Sequence, residues 1–138
     1  EEIGDKYAGD VFEVGAMVGV AIAFKSFSSV GRSAMAVRAN NKLLRSASII
    51  DKGGLTKAGR SLQKHGSRIG SKYPVARGNA DAINNQAQNI LKSILNDPNV
   101  VVTKRYHAKF GDIMDIKSPS GLGARFTKDG TEFIHFLE

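Results

Sequence analysis

At 138 residues, with 41% hydrophobic and 24% charged positions, the chain has room for one ordinary domain or a small domain with an appendage, and its composition excludes a disordered protein. It has no cysteine, which excludes disulfides, thiolate metal sites and a cysteine nucleophile, and suits work in a reducing cytoplasm. The formal net charge of +7 is unevenly spread: residues 1–24 hold five acids against one base, residues 25–52 six bases against one acid, and residues 53–138 thirteen bases against seven acids.

The chain opens on Glu1, without the basic start and apolar middle of a signal peptide, as expected of a segment cut from something larger. Residues 11–24 (VFEVGAMVGVAIAF) are apolar but interrupted by Glu13, Gly15 and Gly19, and they fall short of the about 20 residues that a membrane-crossing helix needs. A buried helix is expected there, with transient membrane contact during import as the sharper alternative and no stable insertion. Residues 28–50 are rich in Ala and Ser, carry Arg32, Arg38, Lys42 and Arg45, and read as one or two helices with a basic face. The stretch Asp51-Lys52-Gly53-Gly54 breaks the pattern and divides a helical N-terminal region, 1–52, from a second region, 53–138.

In the second region Thr56 is the N-cap of a short helix over 57–65, with Leu55 and Leu62 as apolar contacts. A loop marked by Gly66, Gly70, Pro74 and Gly78 follows, and Asn79 or Asp81 caps a second helix. Its apolar positions Ile83, Ala87, Ile90, Leu91, Ile94 and Leu95 recur at spacings of three and four, and Asp97-Pro98-Asn99 ends it. The period then changes to two. Strands are predicted over 100–107, 112–117, 124–127 and 132–137, joined by connections short enough to force an antiparallel meander. The predicted fold is α+β, with helices followed by a twisted four-stranded antiparallel sheet and a small helical region in front.

Excess Lys and Arg serves solubility or a polyanionic partner such as RNA or DNA, and charge alone does not choose between them. Alternation along the first long strand puts Val101, Thr103, Arg105 and His107 on one face. That row is either an ordinary solvated face or the hydroxyl, cation and imidazole set that phosphodiester chemistry uses, with Lys109 and Arg125 as further cations nearby. The run Lys64-His65-Gly66-Ser67-Arg68 reads as a helix C-terminus, with Lys64 and His65 favoured by the helix dipole and Gly66 as cap. Ser67 and Arg68 then follow in a loop able to approach a phosphate. His135, among Phe133, Ile134, Phe136 and Leu137, has Phe133 and Leu137 as pleat mates and reads as a core or sheet-edge histidine. Asp112 and Asp115, three apart in a strand, fall on opposite faces, so no grouped carboxylates for a metal-dependent nuclease are expected. A Gly-rich phosphate loop and a serine-hydrolase elbow are both missing.

The segment 54–68 (GLTKAGRSLQKHGSR), with Gly78-Asn79 and the helix after it, His107-Ala108-Lys109-Phe110-Gly111, and Gly123-Ala124-Arg125-Phe126 leading to Phe136-Leu137-Glu138, resembles the C-terminal toxin domains of filamentous-haemagglutinin-like contact-dependent inhibition proteins and related polymorphic toxins. The helices-then-strands order is similar to the barnase/EndoU/colicin/RelE ribonucleases. The resemblance implies an antibacterial endoribonuclease acting on tRNA, without metal or cofactor, by 2′-hydroxyl attack that leaves a 2′,3′-cyclic phosphate. In that reading His65 and His107 are the acid/base pair, Arg68 and Thr103 join them in catalysis, and Lys64, Arg105, Lys109 and Arg125 bind substrate. The family pattern often has Arg where this chain has Lys109, which keeps the cation and weakens bidentate phosphate binding. The resemblance further implies a larger exoprotein at the surface of a producing bacterium, residues 1–52 as the region for entering the target cell, action in the target-cell cytoplasm, a cognate immunity protein and, for some members, elongation factor Tu as helper. The cationic surface of 53–138 leads us to expect an acidic face on that immunity protein, burying some of Arg105, Lys109 and Arg125 or the Lys64–Arg68 loop. The alternatives left open are a non-enzymatic nucleic-acid- or ribosome-binding module and a DNase.

Overall fold

Leu62, Leu91, Ile94, Phe126 and Phe136 are almost wholly removed from solvent and mark the plane where helices meet a sheet. The computed structural model describes residues 34–138. The apolar stretch 11–24 and Arg32 lie outside the described residues. Helix α1, Ala34–Ala47, keeps Arg38, Lys42 and Arg45 on its exposed side, as the basic-face expectation required, and turns Ala36, Asn40, Leu43 and Ala47 inward.

Strands β1, Ile50–Lys52, and β2, Leu55–Thr56, form a small hairpin whose turn is Gly53-Gly54. Both glycines have positive φ, 64° and 77°, which a two-residue hairpin turn of this hand demands and only glycine supplies without strain. The division expected at 52/53 therefore falls inside a hairpin. Leu43 and Ala47 from upstream share one core with residues downstream.

Thr56 caps helix α2, Lys57–Gly66, by accepting from the Gly59 amide at 2.9 Å. Helix α3, Ala80–Asn96, is capped by Asn79, the first of the two residues expected there, and ends before Asp97. Asn84 of α3 locks the two helices to the hairpin, accepting from the Thr56 amide at 2.9 Å and donating to the Gly54 carbonyl at 3.0 Å. Gly66 is not the left-handed cap that the sequence suggests. It is the last residue of α2 with ordinary helical backbone, and a Cβ there would drive into the Pro74 carbonyl, so its small size lets the following loop close over the helix end.

Strands β3, Val101–His107, β4, Gly111–Lys117, β5, Gly123–Thr127, and β6, Phe133–Leu137, pair antiparallel in chain order, the predicted meander. One face, carrying Val102, Met114, Ile116, Ala124, Phe126, Phe133 and Phe136, closes the core against Leu91, Ile94 and Leu95 of α3 and Leu62 of α2. Each of these side chains larger than Ala124 contributes on the order of 1.5–3 kcal/mol on burial. The Phe136 amide donates to Ser61 Oγ at 2.8 Å, seating α2 along β6. Among the described residues no helix is long and apolar enough to cross a membrane.

Strict alternation fails in β6. The register runs Arg125 to His135 and then Phe126 to Phe133, so Ile134 is the extra residue of a bulge. Phe133 and Phe136 consequently both enter the core. His135 joins the side of Arg125 rather than sharing a face with Phe133.

Candidate active site

The residues singled out in the sequence fall into two clusters, one at the C-terminal end of α2 beside β6 and one on the sheet face away from α3. The first is at the end of α2. His65 is buried on the helix, and its Nδ1 stands 2.7 Å from Glu138 Oε2. Glu138 also accepts from Ser71 Oγ at 3.1 Å and from the Lys72 amide at 2.9 Å. The bond from His65, then that from the Lys72 amide, holds its carboxyl down at about 2. A carboxylate only accepts, so the proton of the His65 ring sits on Nδ1 and Nε2 is left open. Arg68 Nη1, 3.3 Å from the same Nδ1, is therefore a neighbouring cation and not a bonded donor. An open cleft of about 440 Å³ lies beside this pair, lined by Lys57, Arg60, Lys64, His65, Arg68 and His135. Arg60 is partly engaged by Asp51 at 3.3 Å and Lys57 by Glu132 at 3.9 Å, while Lys64 and Arg68 are exposed at the rim.

The second cluster spreads across the sheet. Thr103, Arg105 and His107 share a face, as alternation predicts, and Asp115 lies at its centre opposite Thr103. Arg125 binds Asp115 in a fork, Nε to Oδ1 at 2.7 Å and Nη2 to Oδ2 at 3.0 Å, and Arg105 Nη2 approaches the same carboxylate at 3.4 Å. Both arginines expected to hold phosphate are thus first directed at a buried carboxylate, which sequence reasoning did not enlist. The register that places Asp115 there is set by a β3–β4 turn pairing His107 with Gly111, one residue earlier than the strand start expected from the sequence.

His107 closes β3 next to the tip of the β3–β4 hairpin. Its Nδ1 accepts from the Lys109 amide at 3.0 Å, which puts its proton on Nε2. Desolvation, followed by the guanidinium groups of Arg125 and Arg105, holds this imidazole below its ordinary value. Lys109 is exposed at the tip, its Nζ 5.3 Å from the Phe110 ring centre.

His135 joins the two clusters. Its ring centre is 6.5 Å from that of His65, and Phe110 stands edge-on to it at 5.7 Å, with His107 a further 5.0 Å along. The Arg125 guanidinium also lies over Phe110, at 5.9 Å. The result is one strip of imidazole, aromatic ring and cation running from the cleft to the hairpin tip. His65, Lys64 and Arg68 are together at one end, and Thr103, Arg105, Arg125, His107 and Lys109 at the other. Two residues here have no functional role in the sequence reading: His135, which the bulge turns to the side of Arg125, and Glu138, which lies 73 residues from His65 in the chain. Among the described residues no three His, Asp or Glu side chains converge as metal ligands.

A cation-rimmed cleft with an oriented imidazole, set between α2 and the edge strand β6 of an α+β fold, defines a protein suited to phosphodiesters. The profile of the CdiA C-terminal tRNase toxin domain matches residues 44–138, and the chain belongs to that family. It is accordingly an endoribonuclease toxin of contact-dependent inhibition, the C-terminal domain of a larger exoprotein. The match begins within α1, upstream of the hairpin. Among solved structures, the chain is similar to the toxic C-terminal tip of CdiA from Pseudomonas aeruginosa, solved in complex with an immune protein, with 26% identity and a TM-score of 0.58 over 67% of this chain and 98% of that one. No curated protein matches the chain.

Proposed function

We propose that the domain cuts tRNA in the cytoplasm of a target cell by a metal-independent transesterification. The ribose 2′-oxygen attacks the adjacent phosphorus, the 5′-oxygen leaves, and the ends are a 2′,3′-cyclic phosphate and a 5′-hydroxyl. The observation that carries this reading is the Glu138–His65 pair on the wall of the open cleft. With Nδ1–H tied to a carboxylate that stays ionised, Nε2 is oriented for proton transfer. Lys64 and Arg68 on the same wall hold the phosphate and stabilise the charge that develops on the phosphorane. Arg105 and Arg125 extend the positive field behind them, and Thr103, three strands from His135 on the sheet, offers a hydroxyl to RNA beyond the scissile sugar. His107, through Nε2–H, and Lys109 contact the RNA beyond the scissile bond.

The assay is purified protein with total tRNA in excess chelator. Cleavage should persist and yield cyclic-phosphate ends. Loss of cleavage on chelation overturns the metal-independent route, and full activity in His65→Ala overturns the site. Elongation factor Tu is the helper to add to the same assay. The producing cell is expected to make an acidic immunity protein that covers Lys64, Arg68 and Lys109. The complex of the Pseudomonas aeruginosa relative with its immune protein supports such a partner.

A further inference from the structure

Transesterification needs two proton transfers, one from the 2′-hydroxyl and one to the departing 5′-oxygen. The chain has three histidines. His65, with Nδ1–H on Glu138, accounts for one. His107 is poorly placed for the other, because its Nδ1 lone pair is taken by the Lys109 amide and it does not line the cleft. His135 has the opposite arrangement. Its Nδ1 is 2.7 Å from the Phe136 carbonyl, which only accepts, so the ring proton is on Nδ1 and the lone pair on Nε2. That Nε2 is neither bonded nor buried among the described residues, and the ring lines the same cleft as His65. With their centres 6.5 Å apart on the wall of one cleft, the two rings are close enough to serve a single phosphate bound there, given that each nitrogen must come within about 3 Å of the oxygen it serves.

We propose that His135 is the general base of the cleavage and His65 the general acid, an assignment that rests on the nuclease reading of the cleft. The 2′-hydroxyl proton passes to His135 Nε2 as the 2′-oxygen bonds to phosphorus. The bond from phosphorus to the 5′-oxygen then breaks, and that oxygen takes a proton from Nε2 of protonated His65. His135 ends protonated and His65 neutral, and exchange with water restores both. No oxidant, metal or water is consumed in the step.

The surroundings of His135 suit a base. From α2 it is faced by His65 and, along the cleft, by Lys57, Arg60, Lys64 and Arg68; from β1 by Asp51, from β5 by Arg125 and from β4 by Asp115. Burial first, and then Arg125 and His65, push it below the ordinary histidine value, against the opposing effects of the Phe136 carbonyl and Asp115. The ring is thus neutral at neutral pH, ready to accept. The bulge at Ile134 makes this possible, because regular pairing would have put Phe133 and His135 on one face.

The test compares wild type, His65→Ala and His135→Asn in tRNA cleavage across pH. Asn places an amide nitrogen near the position of Nδ1, keeps a donor for the Phe136 carbonyl and removes Nε2. His135→Asn should lower kcat/KM by about 10²–10⁴-fold and abolish the acidic limb of the pH profile, at an unchanged melting temperature. A variant within tenfold of wild type that retains that limb overturns the assignment while His65→Ala remains impaired. If wild type does not cleave, or His65→Ala is fully active, the nuclease reading of the cleft has failed instead. Should His135→Asn unfold, ¹⁵N spectra of the wild-type imidazoles decide: Nδ1–H on His135, titrating with the acidic limb, is expected, and the Nε2–H tautomer overturns the proposal.

Discussion

Asp115 and Arg125 are direct partners across β4 and β5, and the carboxylate takes two guanidinium nitrogens, Nε at 2.7 Å and Nη2 at 3.0 Å. Both side chains are largely buried, and although Asp115 also has Arg105 at 3.4 Å, the Arg125 charge depends on Asp115 for compensation. Removing one partner from such a pair leaves an isolated buried charge, which typically destabilises by about 3–5 kcal/mol. Asp115→Ala should lose stability on that scale in urea unfolding. A loss below about 1 kcal/mol, the range of exposed pairs, would show that the guanidinium finds water or another acceptor at no penalty.

The Glu138–His65 pair predicts an acid-sensitive element. The Glu138 carboxyl is held at about 2 when folded, below its ordinary value of 4.5, chiefly by the bond from His65. A depressed carboxyl contributes stability above its unfolded pKa and loses that contribution as pH falls through the folded one. The window here runs from about pH 4.5 down to about 2. Melting temperature against pH should be flatter across this window in Glu138→Gln than in wild type. Identical slopes would mean that the carboxylate is equally free in both states.

Helix α1 belongs to the nuclease core through Leu43, which is 3% exposed. Leu43→Ala should destabilise the whole domain by about 2–5 kcal/mol, as large-to-small changes in cores do. The unfolding should remain a single transition. Two separate transitions, with only the first moved, would place α1 in an independent unit.

An acidic immunity protein that occludes the cleft and a short RNA should exclude each other. Association should slow as salt rises, because steering by exposed charges is screened beyond about 8 Å at physiological ionic strength. A Lys64→Glu, Arg68→Glu double variant should weaken both RNA and immunity protein. Ternary binding of toxin, RNA and immunity protein would mean inhibition from another surface.

The β1–β2 hairpin was hidden behind what reads as a bare Gly-Gly break, whereas the two capped helices of the second region, the meander and the shared face of Thr103, Arg105 and His107 were legible in the sequence. They follow from local rules: the 3.6- and 2-residue periods of burial, side-chain capping of free amides, and connections too short for anything but antiparallel pairing. The family resemblance was carried by similarly local motifs around 54–68, 107–111 and 123–126. The tertiary structure alone decided which groups meet. Glu138 reaches His65, Asp115 claims Arg125, and a single extra residue at 134 turns His135 from the core toward the cleft. Periodicity records only whether a side chain faces inward. A bulge reverses that parity downstream, and a hydrogen bond between residues 73 apart depends on the packing of every element between them.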